Sequence, residues 1–327
     1  MDAVAPAAGR RLNRGMPLLR HPDLPRFVAF GEALTDLIRV APDQWLSRCG
    51  GAPWNVARAM SSLGELAAFA GGLSADVFGQ AQWRESADAN LDLRFLQQNA
   101  HGPLLAVVHE TQPPQYFFIG ENSADLHFRP EALPAGWMGA LRWAFFGSIS
   151  LVRPPLAERL LALAERLKAQ GKLIAYDPNY RLLMDAGYDE TLERMCRLAD
   201  VIKVSDEDLC GLFRVPDPRV GLAQISAWNP RALLLLTQGD RGARLFHPQG
   251  ELHGRPPPVV VVDSVGAGDA AVAGLLHALM QGERAPEQWL RWALAAGSAA
   301  CEQPGAQAPR ADRVRALLDG VQILPAP

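Results

Sequence analysis

Two periods organise the apolar positions of this chain. Short runs at residues 27–30, 66–72, 143–146, 172–176, 201–204 and 231–237 are apolar on both faces, the pattern of strands buried in the middle of a protein. Between them, residues 75–90, 156–169 and 192–198 repeat their apolar side chains at helical spacing, as do 270–280, 286–300 and 312–318. Gly171 and Gly282 stand where two of these helices should stop. Pro53 suits the first turn of another helix running to about Leu63. Strands alternating with helices predict an α/β fold: a doubly wound, mostly parallel sheet flanked by helices on both faces.

The rhythm breaks once. Residues 104–109 and 115–119 are two short β runs separated by Gln112-Pro113-Pro114, with no helix signal between them. They predict a hairpin in a small accessory sheet, which the apolar run at 33–40 would join. Its predicted extent is about 33–48 and 103–128. A second hairpin is predicted over 242–247 and 251–253. The run Val259 to Val262 reads as one more buried strand leading into Asp263-Ser264-Val265-Gly266-Ala267-Gly268-Asp269.

That stretch is the richest in chemistry. A glycine turn followed by a helix presents free backbone N–H groups and the positive end of the helix dipole to one point, which is an anion site. An aspartate in a first helical turn is, taken singly, more often a dipole-complementing residue than a catalyst. What changes the weighting is company. Asp36, Gly50-Gly51, Asp177, Arg181, Ser205, Gly239 and the glycine turn are all expected on or beyond strand ends, where open α/β sheets bind ligands.

Composition removes several classes of function. With 49% hydrophobic and 20% charged residues the chain is globular. A formal net charge of −3 supplies no field for nucleic acid or an acidic membrane. The four cysteines (Cys49, Cys196, Cys210, Cys301) are widely spaced, as reduced cytoplasmic thiols are, and the seven histidines form no metal-ligand spacing. Residues 1–25 are Ala/Pro/Arg-rich without an apolar core, predicting a poorly ordered tail before a domain spanning 26–327.

Three motifs in order, Gly50-Gly51-Ala-Pro-x-Asn55, Asp177-Pro-Asn-x-Arg181 and Asp263-Ser-Val-Gly-Ala-Gly-Asp269, resemble those of the ribokinase/pfkB-type sugar kinases, over about residues 27–310. The resemblance implies a ribokinase-like domain with a β-sheet lid that often doubles as a homodimer contact. It implies ATP-dependent phosphorylation of a sugar hydroxyl, most closely that of the fructokinase-like members, given Gly31-Glu32. By it, Asp269 is the base, and the N–H groups around Gly266, Ala267, Gly268 and Asp269 hold the γ-phosphate. Asp36, Gly50, Gly51, Asn55 and Arg181 hold the sugar. Lys203, Ser205, Thr237, Gly239, Gly242, Gly268, Ala300 and Gly305 serve the nucleotide. Mg²⁺ enters with ATP, through water on Asp208 or Glu207, and a monovalent cation such as K⁺ lies near Asp263, Ala300 and Gly305. Two departures stand out. Ser205-x-x-Asp208 replaces Asn/Ser-x-x-Glu, and residues 118–125 lack the arginine that fructokinase-like members often carry there, which weighs against an anionic sugar. Neighbouring alternatives are a 2-keto-3-deoxygluconate kinase, or a ribokinase or nucleoside kinase. From other classes come an inactive sugar sensor and a dinucleotide oxidoreductase. The oxidoreductase is disfavoured because Ala271 takes the place of the third glycine and no acidic strand end follows.

Overall fold

A strand that is apolar on both faces must be covered on both, and the chain meets that demand with one long sheet between helical layers. The computed structural model describes residues 23–111 and 114–324. The strands, in chain order, are β1 (Phe27–Phe30), β2 (Leu34–Ala41), β3 (Gln44–Gly50), β4 (Ala67–Ser74), β5 (Leu96–Asn99), β6 (Leu105–Thr111) and β7 (Pro114–Ile119). They continue with β8 (Trp143–Gly147), β9 (Leu173–Asp177), β10 (Val201–Ser205), β11 (Leu233–Thr237), β12 (Ala243–His247), β13 (Gly250–Arg255) and β14 (Gln322–Leu324). The helices are α1 (Ala52–Ser62), α2 (Val77–Asp88), α3 (Trp137–Ala140), α4 (Leu156–Ala169), α5 (Asp189–Leu198) and α6 (Asp206–Phe213), then α7 (Pro218–Trp228), α8 (Ala267–Met280), α9 (Pro286–Cys301) and α10 (Ala311–Leu317).

The large sheet has the order β14-β13-β12-β11-β10-β9-β8-β1-β4-β5. From β11 to β5 all neighbours are parallel, and β12, β13 and β14 close one edge antiparallel. Strand β1 shows the two-sided burial directly. Phe27 and Ala29 point into a core with Trp54, Met60 and Leu275, whereas Val28 and Phe30 point into the opposite core with Leu160, Leu167 and Met195. Each fully buried Phe or Leu contributes ~1.5–3 kcal/mol relative to exposure.

The second sheet has the order β3-β2-β6-β7. Leu34, Leu104, Ala106 and Ile149 form its own small core against the loop after β8. The antiparallel β6–β7 pair is the expected hairpin; the turn at 112–113 lies outside the described residues, as does most of the tail, 1–22. Leu24 and Pro25 pack against the body.

Two expectations fail. Val259 to Val262 form no strand, and Val260, Val261 and Val262 are 80%, 64% and 59% exposed. The cause lies on both sides of the run. Pro256, Pro257 and Pro258 precede it and bring no N–H for a ladder, and the free edge of β13 is taken by β14. Asp36 is not at a strand end but inside β2, facing Arg48 of β3 across the small sheet. Strands β3, β5 and β14 and helix α7 complete the fold without a strong apolar signal in the sequence.

Candidate active site

The parallel strands end along one edge of the large sheet, and a cleft of about 1070 Å³ opens there beneath the small sheet. Both halves of the chain contribute. Asp36 and Asn55 come from the first fifth, Gly266, Gly268 and Asp269 from the last quarter.

The glycine turn has the geometry of an anion site. Gly266 caps α8 in the left-handed region at φ +80°, and a side chain there would meet Ala306 at 2.9 Å. Ala267 N–H is engaged, donating to the Ser264 carbonyl at 3.2 Å. This corrects the expectation that it is free. The N–H groups of Gly268 and Asp269 carry no acceptor among the described residues and remain as the two open donors of the helix end.

Asp269 is partly buried at the floor of the cleft. Its Oδ2 accepts a hydrogen bond from Asn55 Nδ2 at 2.9 Å, joining residues 214 apart in sequence. Burial raises its pKa, and the Asn55 hydrogen bond, Lys203 and Arg181 pull it back. Beside it, the buried Lys203 ammonium lies 3.1 Å from Asp177 and 3.7 Å from Asp208. Burial alone would lower Lys203, but Asp177, Asp208 and Asp269 outweigh it and hold the ammonium charged. A side chain on Gly268 would stand 3.1 Å from Lys203 Nζ, so this ammonium borders the open donors.

The two metal candidates separate. Asp208 completes a capping box: its Oδ2 accepts Ser205 N–H and its N–H donates to Ser205 Oγ. Its Oδ1 accepts Tyr180 N–H at 2.8 Å. Burial raises its pKa, while Lys203 and these hydrogen bonds more than offset the rise and keep it low. Glu207, one residue earlier, is exposed on the cleft with no such duties. Among the described residues no group of three or more His, Cys, Asp or Glu side chains is placed to hold a metal.

At the other end the small sheet supplies a roof. Asp36, Ala106 and Phe118 form one rung across β2, β6 and β7, and Ile38, Val108 and Tyr116 the next; all six line the cleft. Burial pushes the Asp36 carboxyl up to about 6, with Arg181 opposing the rise. Arg181 Nη1 donates to Asn179 O and Oδ1 and to Tyr180 O, which fixes the guanidinium beside the cleft. Arg153, following β8, bonds Asp125, Ser123 and the Gly120 carbonyl. It thus anchors the segment after β7 but does not line the cleft.

Of the residues expected on the nucleotide side, Lys203, Ser205, Thr237, Gly239 and Gly268 line the cleft. Gly242, Ala300 and Gly305 do not, nor do Gly50 and Ala267. Gly242, at φ +100°, lies against the Gly254 carbonyl of β13. Ala300 is buried in α9, and Gly50 lies directly under the Asp36 carboxylate. Gly305 N–H donates to Asp263 Oδ2 at 2.8 Å, while Asp263 Oδ1 accepts Val265 N–H. Sequence reasoning gave no site role to Glu32, Tyr116, Phe118 or Ala306. The period-2 pattern of β7 places Tyr116 and Phe118 on one face and was the signal available for them. Glu32 is buried against Ser150, which donates both Oγ–H and N–H to it, and burial pushes its carboxyl up to about 7.

Residues 25–313 match the model of the pfkB family of carbohydrate kinases. The chain belongs to the pfkB family. It is 34% identical over 257 residues to a fructokinase from Klebsiella pneumoniae, covering 76% of this chain and 82% of that one. Among solved structures it is similar to a fructokinase with bound ATP from Xylella fastidiosa, with TM-score 0.81, 29% identity and coverage of 90% and 99%. It is also similar to an aminoimidazole riboside kinase from Salmonella enterica complexed with aminoimidazole riboside and an ATP analogue, with TM-score 0.78, 28% identity and coverage of 89% and 99%. This pfkB protein is thus an ATP-dependent sugar kinase, a phosphotransferase acting on a sugar hydroxyl.

Proposed function

We propose that this chain is a fructokinase, with Asp269 as base and the open N–H groups of Gly268 and Asp269 as the cradle of the transferring phosphate. The observation that carries the reading is their union in one turn: a carboxylate oriented by Asn55 stands beside two unpaired donors at a helix N-terminus. Phosphoryl transfer asks mainly for in-line positioning and charge stabilisation. The sugar hydroxyl gives its proton to Asp269 as its oxygen attacks the γ-phosphorus and the bond to the β-phosphate oxygen breaks. Each preorganised N–H aimed at the phosphoryl oxygens supplies ~2.7–4 kcal/mol of transition-state stabilisation, and Lys203 adds a fixed positive charge beside them. Thr237, Ser205 and Gly239 border the nucleotide.

The donor set fits a magnesium ion that arrives on the ATP phosphates, with the exposed Glu207 holding its water shell rather than the buried Asp208, whose carboxylate already faces the Lys203 ammonium. When bound, the ion neutralises charge on the phosphates. A monovalent cation such as K⁺ fits at Asp263, whose carboxylate has lone pairs beyond the two amide bonds it accepts.

At the sugar end Arg181 is the cleft-lining cation, already committed to three acceptors and to Asp36. That favours a neutral sugar over a sugar phosphate. The Klebsiella and Xylella relatives named fructokinase favour fructose. A riboside is the second reading, because the aromatic pair Tyr116 and Phe118 on the roof offers a stacking surface to an attached ring. A coupled ADP-release assay over fructose, ribose, 2-keto-3-deoxygluconate and aminoimidazole riboside decides between them. Fructose is expected to give the highest kcat/KM, and turnover with a riboside alone overturns the assignment. Asp269→Ala is expected to lower kcat by ~10²-fold or more with ATP binding unchanged; retention of a tenth of kcat removes Asp269 as base.

The small sheet acts as the lid in this reading. On it Trp45, Phe117 and Ile119 are 46%, 51% and 51% exposed, an apolar surface suited to a homodimer. Sedimentation of the wild type and of Phe117→Asp measures it. Four free thiols fit a cytoplasmic enzyme.

A further inference from the structure

Arg58 lies outside the cleft, yet it is tied to it. Asn55, Arg58 and Ser62 occupy one face of α1 at helical spacing. Asn55 Nδ2 donates to Asp269 at 2.9 Å, Arg58 Nη1 to the Ala306 carbonyl at 3.3 Å, and Ser62 Oγ to the Pro309 carbonyl at 2.7 Å. One helix thus grips the base and, separately, the loop 306–309. That loop is the backstop of the catalytic turn: Ala306 occupies the space where a Gly266 side chain would be, 2.9 Å away. Asp263 clips the same loop from the other side through Gly305.

Arg58 is an expensive residue to place here. It is 7% exposed, and its guanidinium lies 4.2 Å from the Trp54 ring centre and 3.6 Å from Glu85. Its Nε is buried with no partner. A buried guanidinium with incomplete partners is a weak source of stability, and an apolar side chain of similar volume often serves folding as well. Its one bond toward the active site is the one to Ala306.

We propose that Arg58 is a positioning residue for phosphoryl transfer: it holds Ala306 against Gly266 and so sets where the Gly268 and Asp269 N–H groups point. The proposal rests on the kinase reading. It places Arg58 in control of transition-state stabilisation and not of sugar binding, since the Asn55 contact and the roof are untouched by it.

The test compares wild type with Arg58→Met, which keeps the volume, and Arg58→Lys, which keeps the charge but loses the planar fork that stacks on Trp54 while reaching Ala306. Expected for each folded variant is a fall in kcat of about tenfold or more, with KM for the sugar within twofold of wild type. Affinity for MgADP–aluminium fluoride, a mimic of the transferring phosphoryl group, is expected to fall in parallel, with the affinity for MgADP unchanged. A purely structural role lowers the melting temperature and leaves kcat per folded enzyme and the mimic's affinity in place. That result overturns the proposal, as does an equal loss in sugar KM. Absence of sugar-dependent ADP release from the wild type instead refutes the kinase reading.

Discussion

Gly266→Ala and Gly268→Ala are the same chemical change two residues apart, and the structure separates their consequences. At Gly266 the backbone sits at φ +80°, which costs a residue with a Cβ ~1–2 kcal/mol. The new methyl would also lie 2.9 Å from both Cα and Cβ of Ala306, one of them main chain that cannot swing aside. Overpacking of that kind adds ~1–3 kcal/mol, for a total of ~2–5 kcal/mol. With an unfolding entropy of ~2.1 cal/mol/K per residue over ~300 residues, each kcal/mol lowers Tm by ~1.6 °C. The expected shift is therefore a Tm lower by ~3–8 °C. Because the turn must move off Ala306 to relieve the contact, kcat should fall ~10²-fold. At Gly268 φ is ordinary and the helix gains propensity, but the methyl meets the far end of Lys203 at 3.1 Å. Here Tm is expected within ~2 °C of wild type, with kcat down ~10-fold or more as the ammonium is pushed from the open donors. Calorimetry and the ADP-release assay, run on both variants, give the four numbers. A Gly266→Ala protein with Tm within ~1 °C and kcat within about twofold of wild type would refute the close-contact argument.

Three further outcomes follow from the site. Asp36 has its pKa raised to about 6, so if its carboxylate accepts sugar hydroxyls, kcat/KM for the sugar should decline as pH falls through about 6, and Asp36→Asn should abolish that limb. Glu32 is neutral in both states below its unfolded value of 4.5, and the unfolded chain ionises first as pH rises, so stability is lost up to about pH 7. Glu32→Gln should flatten the fall in Tm between about pH 4.5 and 7, by an amount equivalent to ~3 kcal/mol at most, and an unchanged profile would exonerate Glu32. Chelation by EDTA should stop turnover reversibly, and Glu207→Ala should raise the Mg²⁺ needed for half-maximal rate while Asp208→Ala chiefly lowers Tm; the reverse pattern would reassign the metal role.

Much of this arrangement was legible in the sequence because it depends on local chemistry. The helix over Leu156–Ala169 and the capping box at Ser205 announce themselves by spacing and by side chains that bond their own backbone. The α7 start is written in the sequence too, in Asp217 followed by Pro218. What failed were properties that depend on who else competes for a position. Four valines look like a buried strand until β14 claims the edge they would have used. Ala306 has no chemistry of its own to detect; it matters only because Gly266 leaves room for it.

The bond between Asn55 and Asp269 joins residues 214 apart, and its consequence lies in time. A chain made from its N-terminus has Asp36, Asn55 and the roof strands well before it has a base or a phosphate cradle. Strands β1, β4 and β8 can assemble while the emerging polypeptide is still incapable of consuming ATP. Activity requires α8, which carries the base and packs against both α1 and α9. A product truncated before α8 is therefore catalytically silent.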